Sequence, residues 1–490
     1  MAEFDYDMGI IGGGAAGLTV AAGSARLGAK TLIIEKDNKL GGDCLHYGCV
    51  PSKTLIKSAK VYHLLKNTQR FGLPAVDVPS VDFSAVSKRI QEVIGTIQKH
   101  DSVERFCKLG AKVLFGSSSF IDQNTIDLDG KKITAKNWVI ATGSSAGIPP
   151  IKGLDDTPYM TNRDIFSLPR LPESIAVLGA GPIAIEMAQA FSRLGCRVHV
   201  IQRSGQVLSR EDKDMADDIM KILSDEGVLF HLDTSILGVT HSGDMVEVSV
   251  KNRDGSEGII RAEKLLVAMG RTPNLEGLSL ENAGIEYDKK GIRVDNRLRT
   301  ANRNIYAAGD VTGAYQFTHA AGYEGGIIIG NAIFHLPRKA DYTFLPWCTY
   351  TDPELASIGM NEKRAQEAGI GYRVWTEEFM DNDRSQAEGG TRGKIKMILN
   401  EKEKPIGVQI LGMNAGDLLN EWVAVLNGGV KLSTLASAVH PYPTLGEINK
   451  RVAGVFLSPK IFSGTVQKGL KFFFHLKGRA CELNETGIQD

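Results

Sequence analysis

Two cysteines five positions apart are the residues best suited to chemistry. Cys44 and Cys49 lie in the run Gly-Gly-Asp-Cys-Leu-His-Tyr-Gly-Cys-Val-Pro-Ser-Lys, which ends at Lys53. A zinc site built from paired cysteines usually has a second ligand pair elsewhere in the chain. The remaining cysteines are isolated in the sequence: Cys107, Cys196, Cys348 and Cys481. The pattern therefore favours dithiol–disulfide chemistry over a structural metal site.

The spacing of this pair sets a geometric condition. In an undistorted helix, residues five positions apart lie about 140° apart around the axis, with Cα atoms roughly 8.6 Å apart. A disulfide spans at most ~7 Å between Cα atoms. Gly48 can relax the turn between the cysteines. We therefore expect a locally loosened helix start, where reactive rather than purely structural disulfides are found.

The residues before the cysteine pair form a dinucleotide-binding pattern. An apolar segment from residue 8 runs into a glycine turn and a small-residue helix, and a second apolar segment ends at Glu35. Gly12 permits the tight turn, Gly14 lets the backbone approach a pyrophosphate, and Gly17 lets helix and strand pack. Glu35 can bind a ribose hydroxyl. Together with the cysteines that follow, the pattern points to dithiol chemistry beside a bound flavin.

A second copy of the pattern begins at residue 174. Gly179 and Gly181 form its glycine turn. Gln202 stands where an NAD-preferring site normally places a carboxylate, while Arg203 and Arg210 offer cationic donors for a 2′-phosphate. The second copy therefore predicts NADPH in preference to NADH.

Two further segments complete the first unit. The strand that ends in Ala141, Thr142 and Gly143 is one, and the strand followed by Asp310 is the other. The carboxylate of Asp310 is placed where it could meet a polyol or ribityl hydroxyl. Two more glycines are assigned to cofactor binding, Gly116 and Gly270.

Composition limits the remaining possibilities. The chain has 490 residues, 54 glycines and equal numbers of basic and acidic residues, 57 of each, which fits an α/β enzyme of about three domains and gives no electrostatic case for nucleic acid. No apolar run is long enough to span a bilayer. The acidic N-terminus predicts neither a signal nor a transit peptide, so we expect the cytoplasm. The short apolar patch at residues 470–476 is interpreted as a packing segment, with peripheral membrane contact as the alternative.

Taken together, these motifs resemble the class I pyridine nucleotide-disulfide oxidoreductases over essentially the whole chain. The resemblance implies an α/β fold with two Rossmann-like dinucleotide-binding domains, for FAD and NAD(P), plus a C-terminal α+β dimerisation domain. We expect the FAD domain at residues 1–165 and 286–340, the NAD(P) domain at 166–285, the dimerisation domain at 341–465 and a tail at 466–490. It also implies a homodimer in which the C-terminal motif of one subunit reaches the disulfide of the other.

The same resemblance assigns roles to the residues of the cysteine motif. Cys49 resembles the thiol that reacts with the flavin, and Cys44 resembles the thiol that attacks the substrate. Lys53 matches the family lysine near the flavin. Glu186, in the second glycine unit, matches its partner. We expect an ion pair between Lys53 and Glu186 that tunes the flavin ring and positions the nicotinamide.

Within the family, the nearest resemblance is to mercuric reductases and their relatives, carried by residues 349–359 and 381–384. Dihydrolipoamide dehydrogenases have a histidine directly before a Pro-Thr pair, but this chain has Tyr442 there, with His440 two residues upstream and Glu447 five residues beyond. A phenol, with a reference pKa near 10, is a poor general base at neutral pH. His440 could substitute as the base, or be a buried or capping histidine, and Glu447 could orient its neighbours.

This chain lacks two features that are typical of mercuric reductases. The adjacent cysteine pair near the C-terminus is replaced by the single Cys481, and no N-terminal metal-binding domain with its own Cys-x-x-Cys is found. A soft metal ion would then rely on Cys44 and Cys49 as transient ligands of a substrate. We therefore predict an NADPH-linked flavoprotein that passes electrons to a soft metal ion or an unidentified disulfide. The alternatives are a dihydrolipoyl dehydrogenase using NAD and a redox or metal sensor with little turnover.

Overall fold

The computed structural model describes residues 4–478 and, as backbone alone, 483–484 and 487–488. The chain divides into two compact units, residues 1–352 and 353–490. Cys481 lies outside the described residues, so the structure does not bear on its role.

The first unit contains two sheets with parallel cores, helices that cross between their strands, and smaller antiparallel pairings. Its strands are β1 (Tyr6–Ile11), β2 (Thr31–Glu35), β3 (Ala111–Phe115), β4 (Ser118–Phe120), β5 (Thr125–Leu128), β6 (Lys131–Ile140), β7 (Ser144–Ala146), β8 (Ser174–Leu178), β9 (Arg197–Ile201), β10 (Leu229–His231), β11 (Ser235–Ser242), β12 (Met245–Lys251), β13 (Glu257–Ala262), β14 (Lys264–Val267), β15 (Arg271–Pro273), β16 (Tyr287–Asp288), β17 (Gly291–Ile292), β18 (Ile305–Ala307) and β19 (Pro346–Thr349). Its α-helices are α1 (Ala15–Arg26), α2 (Gly42–His46), α3 (Cys49–Lys66), α4 (Phe83–Gln98), α5 (Val103–Lys108), α6 (Pro182–Leu194), α7 (Lys213–Asp225) and α8 (Thr318–Ala332).

The first glycine pattern belongs to a seven-stranded sheet. Strands β3, β2, β1 and β6 are parallel neighbours in that order, β18 pairs with β6 in parallel, and β5 and β4 extend the sheet antiparallel. β2 is buried along its whole length and β1 over its last four residues, as expected for strands covered on both faces. The carboxyl ends of β1, β2, β6 and β18 therefore share one edge, where a dinucleotide binds in such folds.

The second glycine pattern belongs to a separate four-stranded parallel sheet in the order β10, β9, β8, β14. Its strands span residues 174–267, and β11, β12 and β13 form an antiparallel meander within the same stretch. The chain then returns to the first sheet through β18. Helices α3 and α6 pack against each other, so the cysteine motif and the second glycine motif are adjacent.

The second unit combines an antiparallel sheet with helices. Its strands are β20 (Glu354–Gly359), β21 (Tyr372–Glu378), β22 (Lys394–Asn400), β23 (Pro405–Gly412), β24 (Leu483–Asn484) and β25 (Gly487–Ile488), and its helices are α9 (Glu362–Glu367), α10 (Asp383–Glu388), α11 (Ala415–Gly428), α12 (Leu432–Ser437), α13 (Glu447–Ile461) and α14 (Gly464–Phe474). β20, β23, β22 and β21 are antiparallel neighbours in that order, and α11 and α13 pack on them. The indole of Trp422 donates to Asn449 Oδ1 over 2.8 Å and joins these two helices in the core.

Candidate active site

The two cysteines lie on either side of a break between two helices. Cys44 is in α2 and Cys49 is the first residue of α3, so the continuous helix that would separate them is interrupted at Tyr47 and Gly48. A Cβ added to Gly48 would lie 3.0 Å from the carbonyl oxygen of Asp43, so a larger residue would crowd the break. Both cysteines are free thiols, and the Cys44 thiol donates a hydrogen bond to Cys49 Sγ. The interruption brings together two sulfur atoms that a regular helix would hold apart.

The surroundings of the pair give Cys44 and Cys49 different protonation states. The hydrogen bond from Cys44 is the main cause that lowers the pKa of Cys49 to about 6, with Thr318 and Lys53 adding to it. The same bond, with burial, raises the pKa of Cys44 above its usual value. Cys49 Sγ lies 3.5 Å from Thr318 Oγ1, and each of these residues begins a helix, α3 and α8. Helix N-termini favour an anion, so Cys49 is the thiolate and Cys44 the thiol at neutral pH.

Lys53 lies one turn beyond Cys49 on α3 and pairs with a glutamate of α6. Its Nζ is 2.8 Å from Glu186 Oε2, and the Glu186 side chain is only 5% exposed. The ammonium also lies 4.3 Å from the centre of the Tyr350 ring, and the backbone N–H of Tyr350 donates to Glu186 Oε1 over 2.9 Å. Glu186 is thereby held at both oxygens, so the pair fixes the cationic group beside the thiolate.

A second ion cluster joins the same two helices two turns further on. Arg193 of α6 is buried and binds Glu226 at 2.7 Å and Asp352 at 2.8 Å, while Lys60 of α3 binds Asp352 at 2.9 Å. Arg193 and Lys60 hold the pKa of Asp352 below its usual value although burial opposes them. Because the cluster ties α3 to α6 at a second point, the two helices are held against rotation about the Lys53–Glu186 contact.

The first glycine turn leaves a bare backbone surface at the end of β1. Gly12 has φ +109°, and a Cβ there would lie 2.2 Å from the carbonyl oxygen of Ala141. A Cβ on Gly17 would lie 1.9 Å from the oxygen of Gly12, so α1 can approach β1 only with glycine at this position. Gly14 precedes α1 as its N-cap residue. A turn stripped of side chains at a helix N-terminus fits the pyrophosphate of FAD.

Glu35 ends β2 beside this turn. Its Oε2 accepts from the backbone N–H of Gly13 over 2.6 Å and its Oε1 from the N–H of Asp37 over 2.9 Å. The carboxylate is buried and fixed by backbone donors at the place where the fold family binds the adenosine ribose. Gly116 follows β3 with φ +145° and donates its N–H to the carbonyl of Glu35. Glu35 therefore fits the ribose of FAD.

Asp310 lies shortly after β18 and is linked through Arg271 to the residue before Cys44. The Ser144 hydroxyl donates to its Oδ2 over 2.5 Å, and Arg271 Nε lies 3.5 Å from the same atom. Arg271 Nη2 also lies 3.0 Å from Asp43 Oδ2, so one guanidinium bridges Asp310 and the residue before Cys44. Burial raises the pKa of Asp310. The half-buried carboxyl fits a partner to ribityl hydroxyls.

The segment from Ala141 to Gly143 is pinned to a neighbouring loop. Thr142 donates its hydroxyl to the carbonyl of Asn274 over 2.8 Å, and Asn274 Nδ2 donates back to the carbonyl of Thr142 over 2.8 Å. Gly143 has φ +71° and Gly270 has φ +111°, conformations that favour glycine.

The second glycine turn has the same construction as the first. Gly179 has φ +99°, and a Cβ there would lie 2.6 Å from the oxygen of Ala268. Gly181 is the N-cap residue of α6. Gln202 follows β9 and donates to Ser204 Oγ over 2.8 Å, with Arg203 exposed beside it. Arg210 is also exposed, in the segment before α7.

The residues of the C-terminal motif make separate contacts within the second unit. His440 Nε2 lies 2.9 Å from Glu421 Oε1, whereas the Tyr442 hydroxyl donates to Asp383 Oδ2 over 2.8 Å. The bond to Asp383 raises the pKa of Tyr442 above its usual value. Glu447 opens α13 and accepts from the N–H of Thr444 over 3.4 Å. His440 and Tyr442 therefore contact different carboxylates, and the phenol is held protonated.

The geometry above has a match among known families. The model of the pyridine nucleotide-disulphide oxidoreductases matches residues 6–325, and the model of their dimerisation domain matches residues 345–453. The chain belongs to this family. This oxidoreductase is therefore an FAD-dependent flavoenzyme of a group that uses NAD(P)H. The predicted family, fold class, enzyme class and cofactors are confirmed.

Similar proteins include two kinds of enzyme from this family. The oxidoreductase is 34% identical to a mercuric reductase of Bacillus cereus over 91% of this chain and 70% of that one. It is 34% identical to a mitochondrial dihydrolipoyl dehydrogenase of Schizosaccharomyces pombe over 91% and 89% of the two chains. The Cu(II) complex of the HOCl-induced flavoprotein disulfide reductase RclA from Escherichia coli aligns with a TM-score of 0.83 at 28% identity, covering 93% of this chain and 100% of that one.

Several side chains at the site were not anticipated from the sequence of the oxidoreductase. Thr318, Arg271 and Tyr350 contact Cys49, Asp310 and Lys53 respectively. Arg271 carried a signal only as a charged residue next to Gly270, four positions after the buried strand β14 ends. Thr318 and Tyr350 carried none, since their partners are far away in the sequence.

No helix of residues 4–478 is long and apolar enough to cross a membrane.

Proposed function

We propose that this oxidoreductase passes two electrons from NADPH through FAD to the Cys44–Cys49 pair and on to a soft divalent metal ion, with Hg²⁺ as the probe. The observation that carries the proposal is the thiol–thiolate contact of Cys44 and Cys49, in which the pKa of Cys49 falls to about 6. Thiolates are the ligands that soft metal ions prefer. The balanced reaction consumes NADPH and Hg²⁺ and yields NADP⁺, one proton and Hg⁰.

The chain's own residues divide the work in this proposal. Bound FAD would supply hydride acceptance from the nicotinamide and two-electron transfer to the Cys44–Cys49 disulfide. Cys49 would be the thiolate beside the bound flavin, and Cys44 would be the thiol that receives the incoming substrate. Lys53 stabilises the thiolate, and Glu186 holds Lys53 in place. Gln202, Arg203 and Arg210 favour the 2′-phosphate of NADPH.

Similar proteins support a metal ion as the acceptor. Curated relatives from Bacillus cereus and Staphylococcus aureus, 34% and 33% identical, are mercuric reductases, and RclA was solved with Cu(II). The protonated Tyr442 points in the same direction, because a phenol that donates to Asp383 is unable to take a proton from a dithiol substrate. We also infer a homodimer from the dimerisation domain at residues 345–453.

The test measures metal-dependent NADPH oxidation by anaerobic, FAD-loaded enzyme with Hg²⁺ supplied in excess thiol. Cys44→Ala should lower turnover at least about 100-fold, because a single thiolate cannot replace a two-sulfur site. Cys107→Ala is the matched control, since Cys107 is an exposed, isolated thiol in α5, and it should retain full turnover. Equal turnover in Cys44→Ala would overturn the proposal. If the NAD⁺-linked oxidation of dihydrolipoamide is faster than the Hg²⁺-dependent oxidation of NADPH, the enzyme is assigned the dihydrolipoyl dehydrogenase activity instead.

A further inference from the structure

Helix α14 leaves an apolar face uncovered at the end of the described chain. It spans Gly464–Phe474, and none of its residues is buried by the rest of the chain that the structure describes. Phe472, Phe473 and Phe474 are 76%, 72% and 70% exposed. Large aromatic side chains in a contiguous exposed run mark an interaction surface rather than ordinary scatter.

The residues of α14 separate into two faces. Val466, Leu470, Phe473 and Phe474 recur at i, i+4, i+7 and i+8, which aligns them along one side of a helix. Lys468 and Lys471 lie on the opposite side, and His475 follows the helix as its C-cap residue. The Ser463 side chain caps the helix by accepting from the N–H of Val466. The segment is therefore a capped helix with Val466, Leu470, Phe473 and Phe474 on one face and the two lysines on the other, where Phe472 also lies.

Charge distinguishes among the surfaces that could cover this face. Every charged residue between positions 460 and 479 is basic: Lys460, Lys468, Lys471, Lys477 and Arg479. The whole chain has a formal net charge of +0, so this local excess is not a general property of its surface. Two copies of the helix packed against each other would bring their like charges together, which disfavours that pairing. Anionic lipid headgroups complement the cations, and the acyl region accepts the phenylalanines.

We propose that α14 binds the surface of an anionic lipid bilayer, lying in the plane of the interface with Val466, Leu470, Phe473 and Phe474 inserted. The helix is about 16 Å long, which is too short to cross a ~30 Å hydrocarbon core. Binding is therefore peripheral and depends on both the aromatic face and the lysines.

Flotation of the full-length, FAD-loaded protein with vesicles tests this proposal. The probes are vesicles of equal parts phosphatidylglycerol and phosphatidylethanolamine, compared with pure phosphatidylcholine. We expect at least tenfold more bound protein on the anionic vesicles, and loss of binding when high salt screens the charges. Phe473→Ser combined with Phe474→Ser should lower binding at least tenfold. Phe334→Ser is the matched control, because Phe334 is an exposed phenylalanine elsewhere in the chain, and it should bind normally.

Two further measurements keep the outcome decisive. Lys468→Gln with Lys471→Gln changes only exposed polar positions and should lower binding to anionic vesicles by a similar factor. Phe473→Trp should show a blue-shifted emission on anionic vesicles if its ring enters the lipid. Equal binding to both vesicle types, or none, would overturn the proposal. Loss of the oligomer in the Phe473→Ser, Phe474→Ser variant with no lipid binding by the wild type would assign the face to a second copy instead.

Discussion

Lys53 Nζ lies 2.8 Å from Glu186 Oε2, so a single ion pair joins the helix that begins at Cys49 to the helix that begins at the second glycine turn. The pair unites residues 133 positions apart in the chain. Lys53 lies one turn of α3 beyond Cys49, and both members of the pair act on the pKa of that thiol. The ion pair therefore links the thiolate to the side of the site where the nicotinamide is expected.

The two members of this pair should change the acidity of Cys49 in opposite directions. Lys53 lowers the pKa of Cys49 and Glu186 raises it. Lys53→Met should raise the pH midpoint of the thiolate by about one pH unit, and Glu186→Gln should lower it by a smaller amount. Titration of the thiolate-to-flavin absorption in both variants checks this, with Lys53→Arg as the charge-preserving control. Shifts in the same direction would show that charge is not the cause.

The wild-type thiolate should have a definite pH range. Because the pKa of Cys49 is lowered to about 6, the thiolate is present above that pH and is lost as the pH falls through it. The long-wavelength band of the two-electron-reduced enzyme should therefore lose half its intensity near pH 6. A midpoint near the usual thiol value of 9.0 would contradict the electrostatic account.

The buried ion cluster should contribute more to stability than any surface pair. Arg193→Met leaves Glu226 and Asp352 without their shared cation, and breaking a buried pair in this way costs about 3 kcal/mol. Lys108→Met breaks an exposed pair with Glu104 within α5 and should cost about 0.5 kcal/mol or less. Chemical denaturation of the FAD-loaded variants compares the two. Equal losses would mean that the cluster does not hold α3 against α6.

Nucleotide preference should depend on the end of β9. Gln202→Glu introduces a carboxylate that repels a 2′-phosphate and accepts a ribose hydroxyl, so the kcat/KM ratio of NADPH to NADH should fall at least about tenfold. Arg203→Met should lower the same ratio by weakening NADPH alone. Arg197→Met is the control, because this exposed arginine begins β9 at its opposite end. An unchanged ratio in both variants would remove these residues from the phosphate site.

The position of Tyr442 should limit chemistry on dithiol substrates. An imidazole with a reference pKa of ~6.5 accepts a proton at neutral pH, whereas a phenol does not. Tyr442→His should therefore increase NAD⁺-linked oxidation of dihydrolipoamide at least about tenfold. Tyr442→Phe should leave the shape of the pH profile for metal-dependent turnover unchanged between about pH 6 and 9, because the phenol stays protonated over that range. Loss in Tyr442→Phe of a pH-dependent limb that the wild type shows in this range would show that the phenol titrates.

The sequence was informative where chemistry depends on local backbone geometry. The turns at Gly12 and Gly179 could be predicted because a short segment specifies strand, turn and helix together, and both glycines have positive φ. The spacing of Cys44 and Cys49 likewise required a break, which lies at Tyr47 and Gly48.

Contacts between distant segments could not be predicted in the same way. Arg193 reaches Asp352 across 159 positions, and no spacing rule connects residues so far apart. The bridge from Arg271 to Asp43 and Asp310 depends on how β15 and the return segment meet, which only tertiary packing decides. The separate partners of His440 and Tyr442 have the same origin, because Glu421 and Asp383 belong to different helices.

The most direct test of electron passage through the cysteine pair is anaerobic reduction of the FAD-loaded enzyme by one equivalent of NADPH, followed by absorption spectroscopy. We predict a long-wavelength thiolate-to-flavin band in the wild type, its loss in Cys49→Ser, and its presence in Cys44→Ser before any reductant is added, because Cys49 is then already a free thiolate. Direct bleaching of the flavin in the wild type, with no such band and no difference between the two variants, would contradict transfer through Cys44 and Cys49.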